Sequence, residues 1–455
     1  MLEKTLELLE DRNYSELRAF LMEFNPADIA LLLGEVPESS ILLIFRILPK
    51  ELAAESFAYM DSDLQEILIR SFNDSELHYV IDQLYIDDTV DIIEEMPANV
   101  VKRILRHTDP ETRRKINELL QYPADSAGSI MTIEFIDLKK NMTVADAFAR
   151  IRKIGIDKET IYTCYMTDRD RHLLGIVTVK DLLLNDESAL LGDIMETKVI
   201  SVHTHDDQES VANMFNKYGF LALPVVDKEN RLVGIITVDD AMEVFAEEAS
   251  EDFAMMSAIA PTDDGYFKTS VFQHAKNRIV WLLFLMLSAT LTGAILTKYE
   301  VVFSAIPLLV SFIPQLMSTG GNTGTQSSTT VIRGLATEEI NTKDIFKVLR
   351  KELCIASLLG IVLAIVNSIR IVIMYQNVHI GNNSIYMIAF VTGITIIGTI
   401  MASELLGCLL PVIAKKLKLD PAIMASPVIT TIVDACSVLL YFTIAGAFLN
   451  VPGIG

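Results

Sequence analysis

Between Val301 and Ile332 the chain runs for 32 residues without a charge, and inside that run stands Pro314–Gln326, PQLMSTGGNTGTQ. A bilayer span needs only ~20 apolar residues. The run is long enough, yet it holds Pro307, Pro314, Gly320, Gly321, Gly324 and a cluster of Asn, Thr, Ser and Gln. A helix facing lipid gains nothing from such residues. Irregular backbone and polar side chains at membrane depth are tolerated where they line a cavity or pack against protein. The segment therefore predicts an interrupted, polar membrane helix beside a path through the bilayer.

Charge divides the 455 residues into two parts. Residues 1–275 hold 52 Asp+Glu and 26 Lys+Arg, a net of −26, whereas residues 276–455 hold 8 acids and 12 bases, a net of +4. The first part reads as a soluble acidic body and the rest as a membrane domain. Such acidity disfavours nucleic acid as a partner and suits faces bridged by divalent cations. The first residues, MLEKTLELLEDRNYSEL, form a polar helical pattern without the apolar core of a signal peptide. Cys164, Cys354, Cys408 and Cys436 are scattered and form no CxxC, so neither a disulfide framework nor a zinc site is expected.

Residues 1–121 read as an all-helical acidic domain. Apolar residues recur at spacings of three and four, and Pro37, Pro49, Pro97 and Pro110 punctuate short helices. A superhelical stack is one arrangement and a loose bundle the other. Residues 122–246 alternate β-type runs with helices and contain a repeat: HLLGIVTVKDLLL at 172–184 and RLVGIITVDDAME at 231–243, with Gly175 and Gly234 59 residues apart. Each half also begins with an Ile-Met pair, at Ile130–Met131 and Ile194–Met195. Such a duplicated unit resembles a tandem CBS pair, an α/β fold. That resemblance implies nucleotide contacts at Thr178, Lys180 and Asp181, although Thr and Asp after a strand also serve simply as helix caps. Residues 241–270 read as an acidic helix, which makes 247–274 a connecting segment. Glu243, Glu247, Glu248, Glu251 and Asp252 crowd one side of it and repel unless a cation joins them.

The domain at 275–455 shows five apolar segments, near 278–297, 301–331, 353–375, 384–413 and 421–449. Lys276 and Arg278, then Arg333 to Lys351, then Lys415, Lys416 and Lys418 all fall on one side. The positive-inside rule puts the acidic body in the cytosol of a multi-pass protein of the cell membrane and the C-terminus outside. Arg370, near the outer end of the third segment, is expected to snorkel. Two acids are embedded, Glu404 and Asp434, and an ionisable residue at that depth is a candidate for an ion path. Asp434 is the stronger candidate, because DPAIMASPVITTIVD at 420–434 adds Pro421, Pro427, Thr430 and Thr431, a second interrupted helix to set against the first. One carboxylate with Thr, Asn and carbonyl groups suits a hydrated hard cation. Soft ligands are lacking, since past the first span the one His is His379 in the loop at 376–383. No nucleophile–base constellation suggests an enzyme.

Along nearly its whole length the chain resembles the MgtE family of magnesium channels. The carriers are Tyr122-Pro-x-x-Ser-Ala-Gly128, STGGNTGTQSSTTVIRGLATEEI at 318–340 and DPAIMASPVITTIVD, in that order. The resemblance implies a multidomain α-helical membrane protein with an N-terminal helical superhelix, a CBS pair, a plug helix and five transmembrane helices. It implies a homodimer whose pore lies on the two-fold axis, with Asp434 of both chains holding hydrated Mg2+. Gly320, Gly321, Asn322, Gln326, Thr430 and Thr431 fall along that path. It also implies closure by cytosolic Mg2+ held by Asp240, Glu243, Glu248, Glu251 and Asp252, with Asp87, Asp88 and Asp91 facing them from the helical domain, and ATP as a modulator. Two other readings stay open on the residues: a carrier of divalent cations coupled to Na+ or H+, and a membrane-anchored nucleotide or Mg2+ sensor with no flux of its own.

Overall fold

The protein is described by a computed structural model covering all residues except 263–264, 268, 301–303, 305, 338, 377–383, 425 and 450–455, and without the side chain of Ser426. The loop at 376–383 with His379 therefore lies, apart from Gln376, outside the described residues. The chain divides into two units, Met1–Ala246 and Glu247–Gly455.

The first unit opens with ten short helices: α1 (Leu2–Glu10), α2 (Tyr14–Leu21), α3 (Pro26–Glu35), α4 (Glu38–Ile47), α5 (Lys50–Ala58), α6 (Ser62–Ser71), α7 (Asp74–Gln83), α8 (Ile86–Glu95), α9 (Ala98–His107) and α10 (Pro110–Leu119). Proline sets their length. Val36, Leu48 and Met96 each precede a proline and sit in the extended region, which ends one helix, while Pro37, Pro49 and Pro97 stand at the next N-cap. Alternate helices stack: α3 on α5, α5 on α7 and α7 on α9 in one row, α4 on α6, α6 on α8 and α8 on α10 in the other. Two such rows make a superhelical stack and decide against a loose bundle. Ile44, Phe57, Leu68, Leu77 and Ile104 are fully buried between the rows, each contributing about 1.5–3 kcal/mol of transfer free energy. Arg103 closes the end of α6 by donating to the carbonyls of Ile69 and Phe72.

The CBS pair consists of two equal halves. In the first, β1 (Asp137–Leu138) runs parallel to β2 (Thr163–Thr167), which pairs antiparallel with β3 (Leu173–Thr178). In the second, β4 (Val202–His203), β5 (Ala222–Val226) and β6 (Leu232–Thr237) repeat the pattern. Both halves have a register shift at the same place, Met166/Thr167 and Val225/Val226. The helices are α11 (Val144–Ile154), α12 (Val179–Leu184), α13 (Leu191–Ile194), α14 (Gln208–Tyr218) and α15 (Val238–Met256). The halves exchange strand edges, Thr132 bridging to Ile235 and Glu196 to Ile176. Gly175 and Gly234 permit this approach, because a Cβ there would stand 2.6 Å from Glu196 O or from Met131 Sδ.

Here the structure corrects two expectations. The connecting helix does not begin at 247. It is α15, the last helix of the CBS pair, which starts at Val238 and continues through the unit boundary to Met256. Nor does it reach 270, since residues 257–262 are turn and coil.

The second unit holds α16 (Val271–Lys298), α17 (Ile313–Ala336), α18 (Ile345–Tyr375), α19 (Ile385–Lys416) and α20 (Ser426–Phe448). Among the described residues, Val271–Lys298, Thr342–Tyr375, Ile385–Lys416 and Pro421–Phe448 are long and apolar enough to cross a membrane. The polar α17 does not meet that standard. It packs instead against α19 and α20, and α18 against α19. The interruptions predicted from Pro and Gly lie elsewhere than expected. Pro307–Phe312 and Pro421–Met424 are 3-10 turns leading into α17 and α20, and α17 itself is an unbroken helix through Gly320, Gly321 and Gly324. The glycines serve contact: a Cβ on Gly321 would lie 3.0 Å from Thr430, and one on Gly324 2.6 Å from Ser403 Oγ. Lost helix propensity is offset by close packing.

Candidate functional site

In the first unit, α8 is amphipathic, with Ile86, Val90, Ile92 and Ile93 buried. Asp87, Asp88 and Asp91 lie where α8 meets acids of the CBS pair. Asp239, Asp240 and Glu243 come from the first turns of α15. Asp240 is fixed by Thr237, whose hydroxyl donates to it at 2.6 Å and whose backbone N–H donates at 3.3 Å. Two further acids that no local pattern marked complete the group. Glu159 follows the short turn after α11, and Glu134 accepts the Ile86 N–H at 3.3 Å.

The electrostatics of this group are unfavourable as it stands. Burial, then the charge of Asp240, pushes Glu159 up to about 8 and Asp88 up to about 6. Burial first, with Asp239 and Glu243 adding to it, raises Asp240 to about 6. Asp87, 8 % exposed, is raised well above the ordinary carboxylate range by burial and by Asp240. Asp91 stands on the exposed rim, where water screens it, and is raised for the same reasons. Asp87 Oδ1 and Glu159 Oε2 are buried without a hydrogen-bond partner among the described residues. Buried carboxylate oxygens without donors are costly unless a cation meets them. An oxygen-only donor set of this kind fits Mg2+.

A second acidic group belongs to the second unit. Burial pushes Asp252 up to about 6, and Asp420, Glu248 and Glu251 raise it further, in that order. Asp420, which follows α19, accepts the Ala422 N–H at 2.8 Å. The five acids expected to act together on the connecting helix thus divide between two clusters: Asp240 and Glu243 in one, Glu248, Glu251 and Asp252 in the other.

The repeat also carries a cleft of about 730 Å3, walled by Thr178, Lys180, Glu196, Lys198, Tyr162 and Phe220 among others. Asp181, predicted alongside them, is not in its wall. Its carboxylate accepts from Thr178 Oγ1 at 2.6 Å and Thr178 N at 3.0 Å, a capping box at the start of α12. The position matching Lys180 in the second half is Asp239. One copy of the repeat therefore offers a cation where the other offers an anion.

In the membrane domain the second and fifth predicted segments do meet, as α17 and α20. Gly320 and Gly321 are buried in that contact. Ser318, Asn322, Gln326, Thr329 and Thr330 instead form an exposed polar stripe along α17, uncovered by the described helices of the second unit. Asn322 donates to Ser318 Oγ at 3.4 Å. Thr430 and Thr431 bond their hydroxyls to Pro427 O, at 3.0 and 2.8 Å, one turn before Asp434. Asp434 is half-buried. Glu404 lies apart from it, fully buried beside Glu352 of α18, a third embedded acid that sequence reading passed over as part of a charged loop. Ser327 Oγ donates to Glu352 Oε2 at 2.7 Å. Arg370 does not simply snorkel, being held by Gln315 and Asn367.

A stacked helical domain, a CBS pair and a set of apolar helices packed on a polar one mark a membrane transporter with a large N-terminal body. The comparisons agree. The family described as a divalent cation transporter, MgtE, matches residues 313–444, the MgtE intracellular N domain matches 24–125, and CBS domains match 127–187 and 191–247. The magnesium transporter MgtE of Thermus thermophilus is 32% identical over 98% of this chain and 97% of its own, and that of Bacillus subtilis 31% identical over 97% and 96%. The crystal structure of the cytosolic domain of the Mg2+ channel MgtE in complex with ATP is 33% identical, with a TM-score of 0.51, covering 54% of this chain and 100% of that one. The chain belongs to the MgtE family of magnesium transporters.

Proposed function

We propose that the protein is a Mg2+-selective, channel-like importer closed by cytosolic Mg2+. The polar stripe on α17 carries this reading. Ser318, Asn322 and Gln326 stay exposed on a helix of a membrane domain, and polar groups at that depth need water or protein rather than lipid. A second copy across a two-fold axis supplies both: the two stripes enclose a wet path, with Asp434 of each chain and Thr430 and Thr431 beside it. Mg2+ gives up water reluctantly, so a carboxylate acting through retained water suits it. The membrane potential drives entry at ~2.3 kcal/mol per charge per 100 mV. In this reading five helices cross the cell membrane, with the first unit in the cytosol and the C-terminus outside, as the positive-inside rule expects.

Closure follows from the two acidic clusters. Asp87, Asp88, Asp91, Asp240 and Glu243, with Glu134 and Glu159, repel when bare and attract around bound cations. Glu248, Glu251, Asp252 and Asp420 do the same next to the membrane domain. A ligand shifts a conformational equilibrium only by its differential affinity for the two states, and several weak sites acting together give a steep response. The cleft with Thr178 and Lys180 suits ATP as a modulator.

Flux of Mg2+ into liposomes tests the reading, with the ion varied separately on each side. Transport should vanish in Asp434→Asn and fall when Mg2+ bathes the soluble body. In the double variant Glu248→Gln, Glu251→Gln that inhibition should weaken. Undiminished inhibition in the double variant would remove the sensor assignment, and flux in Asp434→Asn the pore assignment. The paired acids Glu352 and Glu404 favour one second reading, a carrier coupled to H+. It requires flux that follows an imposed pH gradient at fixed voltage.

A further inference from the structure

Although residues 1–275 carry a net charge of −26, one region of the first unit gathers cations. Two adjoining cavities of about 330 and 270 Å3 share Ile133 and Arg171 in their walls. Arg114 and Lys115 of α10, Arg150 of α11, Lys158 and Arg171 line them, against the acids Asp137 and Glu118. Asp137 is already neutralised, since Arg150 bonds to it and Lys139 lies 3.4 Å away. Lys115 stands 3.8 Å from Glu111 on the surface, and Lys158 acts on Glu134. Among the described residues, the side chains of Arg114 and Arg171 have no hydrogen-bond or ion-pair partner. Two exposed guanidinium groups thus line the cavities without a partner among the described residues, with Glu118 the acid in the same wall.

The backbone at Arg171 strengthens the point. It occupies the turn between β2 and β3 with φ 68°, and its repeat counterpart is Asn230, φ 62°, between β5 and β6. Asparagine tolerates the left-handed region, whereas a long side chain gains nothing from it. The two turns bond to each other through backbone alone, Leu232 N–H to Arg171 O at 2.9 Å and Leu173 N–H to Asn230 O at 3.2 Å. Either residue meets that need, so what Arg171 adds is its guanidinium.

We propose that these joined cavities bind a small phosphate-bearing anion, clasped by Arg171 and Arg114 with Lys158 adding charge. A guanidinium meets phosphate oxygens through two parallel hydrogen bonds. The site shares no wall residue with the cleft of Thr178 and Lys180, and it stands independently of the magnesium reading.

Calorimetric titration of the full-length protein in detergent with inorganic pyrophosphate, free of Mg2+ and at fixed ionic strength, tests it. Saturable binding is expected for the unaltered chain, at least tenfold weaker in Arg171→Asn and in Arg114→Gln, and unchanged in Lys180→Gln. Arg171→Asn adopts the residue that the repeat already uses at this turn, so its melting temperature should hold and a loss of binding reports the site. Titrating ATP into Lys180→Gln with pyrophosphate present identifies the source: competition means that nucleotide phosphates enter, no competition that the site takes inorganic anions, and the site stands in both cases. The absence of saturable heat at millimolar pyrophosphate overturns the proposal. So does binding that survives both arginine variants, or binding lost in Lys180→Gln.

Discussion

At Glu159 a buried oxygen has no donor among the described residues, and Asp240, Asp88, Asp239 and Glu134 all act against its charge. Folding would not retain such an arrangement without compensation, and a divalent cation supplies it. Glu159→Gln should weaken stabilisation by Mg2+ about tenfold, the lower end of what losing a metal-site group costs, while raising stability in the absence of the ion. Thermal unfolding of the full-length protein at graded Mg2+ reads both. Asp181→Asn, whose carboxylate caps α12, should leave the Mg2+ response alone, and an equal loss there would mean that the effect at Glu159 is structural. Asp87, Asp88 and Asp91 were reached in the sequence through the family resemblance, which falls on an acidic cluster of one helix. Glu134, Glu159 and Asp420 were not, because each reaches its cluster from a loop, and only the tertiary fold brings loop and helix together. Arg103 makes the same point for stability. Nothing local marks it, yet it satisfies the end of α6, and Arg103→Ala should cost about 1–3 kcal/mol in denaturant unfolding by leaving buried carbonyls unpaired.

Among the elements, α17 departs most from expectation. Glycines and prolines predicted a broken helix, because in isolation they lower helix propensity. The structure keeps the helix whole, since the same glycines let α19 and α20 approach closely enough to offset that loss. The expected test is a contrast. In Gly324→Ala the new Cβ meets Ser403 and Ile429 at 2.6 and 2.7 Å, and overpacking of this kind costs about 1–3 kcal/mol. In Gly293→Ala nothing lies within 4 Å, and the higher propensity of alanine should leave α16 as stable or more so. Melting temperatures in detergent that fall equally would refute the packing account. The ten helices of the first unit were easier to foresee. Their proline punctuation is local, and the two-row stack follows from helices that each bury one face. The CBS halves were legible from the repeat itself, whereas the true start of α15 was not, because an acidic helix looks the same on both sides of a domain boundary.

For the whole molecule, the raised carboxyls make pH and Mg2+ two handles on one equilibrium. A carboxyl whose folded pKa lies above its unfolded value binds its proton more tightly when folded. Its contribution is fully present below the unfolded pKa and is lost as pH rises through the folded one. For Asp88 and Asp240, raised to about 6, and Glu159, raised to about 8, the loss falls across the neutral range. Without divalent cations, the acids of α8 and of the first turns of α15 should move apart as pH climbs from about 6 to about 8. Protection against hydrogen exchange in the full-length protein, each rate taken relative to the intrinsic rate at that pH, should then fall at the amides of Ile86–Glu95 and of the first turns of α15. Millimolar Mg2+ should flatten this dependence, because a bound cation replaces the proton as the partner of the same oxygens. Protection in α3 and α5, remote in sequence from the acidic group, serves as the internal reference and should stay flat under both conditions. If the pH dependence were the same with and without Mg2+, the ion would have to act somewhere other than this cluster. If protection rose with pH, the carboxyls would have to be depressed rather than raised, and the electrostatic basis of closure would fail with them.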